Sequence, residues 1–89
     1  MFPYDASDNL KEILKKLYRK DKLTFERVTK KMQEVASSGD IEHYKNLQHD
    51  LSDLKRVQIG HFVLTFRFDK KNKIIYFDDF QHHDIIYGN

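Results

Sequence analysis

Cysteine is absent from this chain of 89 residues. That excludes disulfide staples, a thiolate zinc site and a thiol nucleophile. Long apolar runs are absent too. No stretch approaches the roughly 20 residues of a membrane span, and the opening MFPYDASDNL lacks the basic-then-apolar order of a signal peptide. A soluble, cytoplasmic protein with no membrane partner is expected. A single domain over 1–89 can bury only about 60–65% of its unfolded surface, so the core must be thin and each large apolar residue counts. A large net charge is also missing, at +2 overall, yet the charge is uneven. KKLYRKDK at 15–22 holds five basic residues and one acid, whereas FDDFQHHD at 77–84 holds three acids. The basic run reads most simply as a solvated helix face, although such a run can also make a local phosphate-attracting field.

The periodicity divides the chain. Leu10, Ile13, Leu14, Leu17 and Tyr18 recur as one helical stripe, with Asp5 or Ser7 available as N-cap. RKDKLT interrupts it. Phe25, Val28, Met32 and Val35 then form a second stripe, with Gly39 in SSGD as the expected stop. A short connection between two such helices predicts an antiparallel hairpin. Residues 40–54 read as irregular, with a helical turn around 41–47. Beyond them the period becomes two, through Val57 and Ile59, then Phe62, Leu64, Phe66 and Phe68. DKKNK (69–73) reads as a hairpin loop with Asn72 left-handed, followed by a third strand over 74–80 and preceded by a weak first strand at 2–4. The expected fold is α+β, a helix hairpin packed on a small, mainly antiparallel sheet of 3–4 strands. Val57, Ile59, Phe62, Leu64, Phe66, Phe68, Ile75 and Phe77 would face the helices. Arg56, Gln58, Val63, Thr65, Arg67, Ile74, Tyr76 and Asp78 would form an opposite, uncovered face, either a wetted surface or a binding surface.

The combination of HYKNL, LKRVQIG, the strand VLTFRF and the tail HHDIIYG resembles the RelE/ParE superfamily of toxins from toxin–antitoxin modules, particularly its RelE/YafQ-like members. The resemblance spans nearly the whole chain, and its motifs lie in 43–88. It implies a ribosome-dependent mRNA endoribonuclease acting in the ribosomal A site and neutralised by a cognate antitoxin. It leaves open a homodimer or a toxin–antitoxin hetero-oligomer. Arg56 matches one of the family's outward basic residues on the strand after the helices, and Gln58 replaces the next. Val63 stands where an arginine often lies in the family, so either Arg67 or Lys55 compensates or the activity is weak. His82 or His83, followed by Tyr87, matches the histidine variant of the catalytic tail. Two rivals remain, a ParE-like non-nuclease acting on a protein such as DNA gyrase and an inactive interaction module.

RNA cleavage requires removal of the 2′-hydroxyl proton, in-line attack on phosphorus and protonation of the 5′ leaving oxygen. An imidazole suits both proton transfers near neutral pH. Arg56, Lys55 or Arg67 could hold the scissile phosphate, with Gln58, Lys45 and His61 as further contacts. Lys45 reads equally as a turn residue and His61 as part of a strand connection. Tyr87 and Tyr76 offer rings for base stacking, and Tyr87 could equally pin the tail. Asp84 could orient a histidine or cap a turn. Neighbouring histidines on a strand face opposite sides, so only one should enter a site on the open face. His43, His49, His61, His82, His83, Asp78, Asp79 and Asp84 are all metal-ligand types. However, His43 and His49 stand six apart, and no His-Glu-x-x-His pattern occurs. No metal and no other cofactor is expected.

Overall fold

The computed structural model describes residues 1–45 and 54–88. A short strand β1 (Tyr4–Ala6) leads into helices α1 (Asp8–Lys20) and α2 (Lys22–Ser37). A single 3-10 turn at Ile41–His43 follows, then strands β2 (Leu54–Ile59), β3 (Phe62–Asp69) and β4 (Ile74–His82), and a four-residue helix α3 (His83–Ile86). The sheet order is β1-β4-β3-β2, parallel between β1 and β4 and antiparallel elsewhere.

The helix hairpin is set by its caps. Ser7 accepts the Leu10 N–H at 3.0 Å and Asp21 accepts the Thr24 N–H at 3.2 Å, so each helix starts on a side chain suited to its orphan donors. Hydrogen bonding to Thr24 also holds the Asp21 carboxyl below its ordinary value. Gly39 does not act as the expected left-handed stop. Ser38 caps α2 in an extended conformation, and positive φ among the glycines is confined to Gly60 and Gly88. In the β3–β4 turn the left-handed residue is Lys73, with φ 57°, rather than Asn72. Asn72 instead donates its side-chain amide to Asp69 at 2.8 Å. The first strand lies two residues later than expected, at 4–6, because Tyr4 to Ala6 pair with Ile75 to Phe77. The helical turn expected at 41–47 is confined to the 3-10 turn, since Tyr44 and Lys45 leave it; positions 46 and 47, with His49, lie outside the described residues.

The core forms where the helices meet the sheet. Leu10, Val28, Met32, Val35 and Ile41 pack against Ile59, Leu64, Phe66, Ile75, Phe77 and Phe80. Cross-strand pairs Val57–Leu64, Ile59–Phe62, Phe66–Phe77 and Phe68–Ile75 place the predicted apolar set on one face. Beyond Phe77 the alternation changes phase. A bulge makes Thr65 pair with Asp79 and leaves Asp78 as the extra residue. Phe80 and His82 therefore join the helix-side face, while Asp79 and Gln81 take the opposite one. The bulge is tied to the start of α1, since the Phe77 and Asp78 carbonyls accept the Ser7 N–H at 2.9 Å and the Ser7 hydroxyl at 2.5 Å. The face opposite the helices is also less open than alternation suggested. Val63 and Thr65 are each only 1% exposed, flanked in register by the longer Gln58, Gln81, Arg56 and Asp79.

Candidate active site

The end of β4 gathers the titratable tail. His82 is the last strand residue and the N-cap of α3, its Nδ1 accepting the Asp84 N–H at 3.2 Å. Because the backbone turns from strand to helix there, the two neighbouring histidines do not diverge. Their rings lie 4.8 Å apart at 27°. The expectation that they face opposite sides is corrected by this change of backbone: side chains alternate only while the strand continues. His83 Nδ1 lies 3.1 Å from Asp84 Oδ1, and His82 Nδ1 lies 3.6 Å from Asp84 Oδ2. Tyr87 follows at 6.5 Å from the His83 ring.

A third imidazole joins them from the β2–β3 hairpin. Gly60, with φ 62°, and His61 form a two-residue turn between the paired Ile59 and Phe62, as expected for a hairpin with glycine at the first central position. The His61 carbonyl accepts the His83 N–H at 3.0 Å, and its ring stacks 6.2 Å from His82 at 18°. Phe62 supports the cluster from below, 5.0 Å from Phe80 and 5.6 Å from His82. His61, named from the sequence as a possible further contact, thus joins the histidine cluster, a neighbourhood that its place in a two-residue turn does not reveal until the strands are paired.

The expected cations are placed differently. Lys55 pairs with Phe66 and so lies on the helix-side face. It is 7% exposed, with its ammonium 3.2 Å from the Tyr44 carbonyl and 3.8 Å from Glu42. It is not displayed beside Arg56. Arg56 sits on the other face, about 14 Å from His82 by strand rise and spacing, and its Nε is buried with no hydrogen-bond partner among the described residues. Arg67 and Tyr76 are exposed and opposite each other, but stand about 17–20 Å along the sheet from the histidines. Lys45 is exposed, and its carbonyl accepts the Arg56 N–H at 3.0 Å. Gln58 donates to the Gly60 carbonyl at 2.9 Å.

The cations nearest the histidine turn come from α2. Arg27, Lys30, Lys31 and Glu34, with Gln58, Ile59 and Gly60, line a depression of about 320 Å³. The Arg27 guanidinium lies over Gly60, where a β-carbon would stand 3.6 Å from it. Lys31 binds Glu34 at 2.7 Å and holds that carboxyl below its ordinary range. RVTKK at 27–31 is a cationic helix face at helical spacing. It carries no signal of its own, because its meaning depends on the hairpin turn it covers. A larger groove of about 750 Å³ lies between α1 and α2, with Leu14, Tyr18 and Phe25 as its apolar floor and Lys11, Lys15 and Arg19 along its rim.

The chain is 44% identical over 88 residues to a Methanocaldococcus jannaschii protein that bears the name of a toxin, RelE4, covering 98% of this chain and 92% of that one. It belongs to the RelE/ParE toxin superfamily. A Methanosarcina mazei protein without an assigned function is 38% identical over 73 residues, covering 81% of this chain and 83% of its own. No family model matches. Among solved structures, the toxin–antitoxin complex RelBE2 of Mycobacterium tuberculosis superposes with a TM-score of 0.73 at 16% identity, covering 91% of this chain and 96% of that one. The isolated Escherichia coli RelE toxin superposes at 0.70 with 20% identity, covering 92% and 84%. The superfamily's α+β fold of a helix hairpin and a mostly antiparallel sheet is the fold of this chain.

Proposed function

We propose that this RelE-type protein is a toxin that cleaves mRNA in the ribosomal A site and is held inactive by a cognate antitoxin. The observation that carries the reading is the gathering of His82, His83, Asp84 and Tyr87 at the end of β4. In this reading His83 is the acid–base residue. Its Nδ1 faces the Asp84 carboxylate, which fixes the ring and leaves Nε2 to exchange a proton with the RNA. His82 is a positioning residue, its Nδ1 being committed to capping α3. Tyr87 supplies a ring for a single-stranded base. Arg27 and Lys30 beside Gly60, rather than Lys55, attract the flanking phosphates.

The antitoxin would occupy the groove between α1 and α2. An apolar floor rimmed by Lys11, Lys15 and Arg19 suits an amphipathic segment carrying acids along its edges. The toxin–antitoxin complex RelBE2, whose fold this chain shares, supports a partner chain for it.

One observation favours a non-nuclease. Val63, buried at 1% exposure, puts no cation where an arginine is usual, and Arg56 is remote from the histidines. A ParE-like toxin acting by protein binding would need neither. Cleavage of a ribosome-bound mRNA by the purified chain, lost in His83→Ala, separates the two readings. Growth arrest that persists in His83→Ala without any mRNA cleavage would establish the second.

A further inference from the structure

We propose that His82, His83 and Asp84 form a site for a divalent transition metal of the zinc class, and that its occupancy silences the site. Consecutive residues seldom converge on one ion, because in a strand they point apart. Here the strand ends at His82 and α3 starts at His83, so two imidazoles and a carboxylate meet, with one ligand atom from each lying within 4.8 Å of the others. His83 Nδ1 lies 3.1 Å from one Asp84 oxygen and His82 Nδ1 lies 3.6 Å from the other, so each imidazole already stands beside the carboxylate at about the separation of roughly 3.3–3.5 Å between ligand atoms of a tetrahedral zinc centre with bonds of about 2.0–2.1 Å. The two histidines need only a modest rotation to close the third edge. Both side chains have room for it, being 39% and 44% exposed. His61, stacked behind His82, is the nearest further imidazole. Water or His61 can fill the fourth position.

The donor set selects the ion. Two neutral imidazoles and one carboxylate suit zinc, whereas magnesium and calcium favour all-oxygen shells. Binding also has a local cost, because a metal on His82 Nδ1 takes the lone pair that now accepts the Asp84 N–H.

Metal and proton transfer are mutually exclusive here. An ion on His83 Nδ1 breaks its pairing with Asp84 and removes the imidazole from proton exchange. The silencing rests on the proposed nuclease reading, while the binding does not.

The test titrates the full chain with Zn2+, and separately with Mg2+, by calorimetry, and follows Co2+ uptake through its visible d–d absorption. One Zn2+ per chain is expected, with a tetrahedral Co2+ spectrum and no Mg2+ uptake. Asp84→Ala and His83→Ala should each weaken Zn2+ binding at least about tenfold, while His43→Ala leaves it unchanged. Unchanged affinity in both cluster variants, provided their melting curves match the parent, overturns the site. Zinc bound in the cluster with ribosomal cleavage undiminished overturns the silencing. Absent zinc binding alongside cleavage that still needs His83 overturns the metal proposal and leaves the catalytic reading standing.

Discussion

Replacing His82 and His83 one at a time separates chemistry from architecture, because the two rings hold different bonds. The His83 side chain is 44% exposed, and among the described residues its polar partner is Asp84. Truncating it to alanine removes the part-exposed ring stack on His82 but no backbone cap, so stability should change by no more than about 1 kcal/mol. If His83 moves the proton, cleavage should fall about 10²–10⁴-fold, which is about 3–5 kcal/mol of barrier. His82→Ala should behave in the opposite way. It removes the cap on Asp84 N–H, costing ~1 kcal/mol, and the ring contact with Phe62, costing ~0.5–1.5 kcal/mol. Together these lower the melting temperature by roughly 6–20 °C for a domain of this size. Asn at position 82 can accept the same N–H, so His82→Asn should recover much of the stability and most of the cleavage. The assay is primer extension on ribosome-bound mRNA beside thermal melts of each variant. Full cleavage by His83→Ala, or complete loss of cleavage in a stably folded His82→Asn, would refute the assignment.

Three further outcomes follow from the same structure. The double variant Arg27→Ala/Lys30→Ala should weaken RNA-dependent association and lower the salt slope of binding by up to ~2, with an unchanged melting curve; an unchanged slope would remove α2 from the RNA surface. Ser7→Ala deletes both the α1 cap and the hydroxyl bond to the Asp78 carbonyl, so urea unfolding should show a loss of about 1.5–2.5 kcal/mol, and a loss below 0.5 kcal/mol would mean that water replaces both bonds. Asp69 accepts hydrogen bonds first from the Asn72 side chain and then from the Asn72 N–H, and these hold its carboxyl below the ordinary 3.8. A depressed carboxylate stabilises the fold above its unfolded value and stops doing so as pH falls through its folded value. Asp69→Ala should therefore lower the melting temperature at neutral pH and shrink the further drop below about pH 4; an acid limb identical to the parent's would place the loss elsewhere.

The fold was legible because its signals are local. Helical stripes at Leu10–Tyr18 and Phe25–Val35, then alternation from Val57 to Phe77, assign most of the core without any long-range information, whereas Ile41 and Phe80 fall outside them. The errors have two sources, a local backbone choice at the end of α2 and an interaction across the fold at β4. Gly39 looked like a helix stop, but Ser38 ends α2 in extended conformation. Asp78 looked like an outward residue of a regular strand, but Ser7, 71 positions away, bonds to its carbonyl at a bulge.

The site shows the same division more sharply. The residue types at its centre, two histidines, an aspartate and a tyrosine, are visible in HHDIIYG. What they do together depends on two backbone events that composition hides. The bulge at Asp78 shifts Phe80 and His82 onto the helix-side face, which removes the histidines from the surface carrying Arg56 and Arg67. The helix start at His83 then folds the second histidine back onto the first. The histidine cluster, expected on the open sheet face, therefore lies at the sheet's end, hydrogen-bonded to the Gly60–His61 turn, whose Gly60 lies beneath the Arg27 guanidinium. This relocation also bears on Val63. An arginine there would point to the face opposite His82, so its replacement by a buried valine removes less from a site at the strand end than from one at mid-sheet. The phosphate contacts proposed for α2 border Gly60, one residue from His61, and the double variant at Arg27 and Lys30 probes them directly.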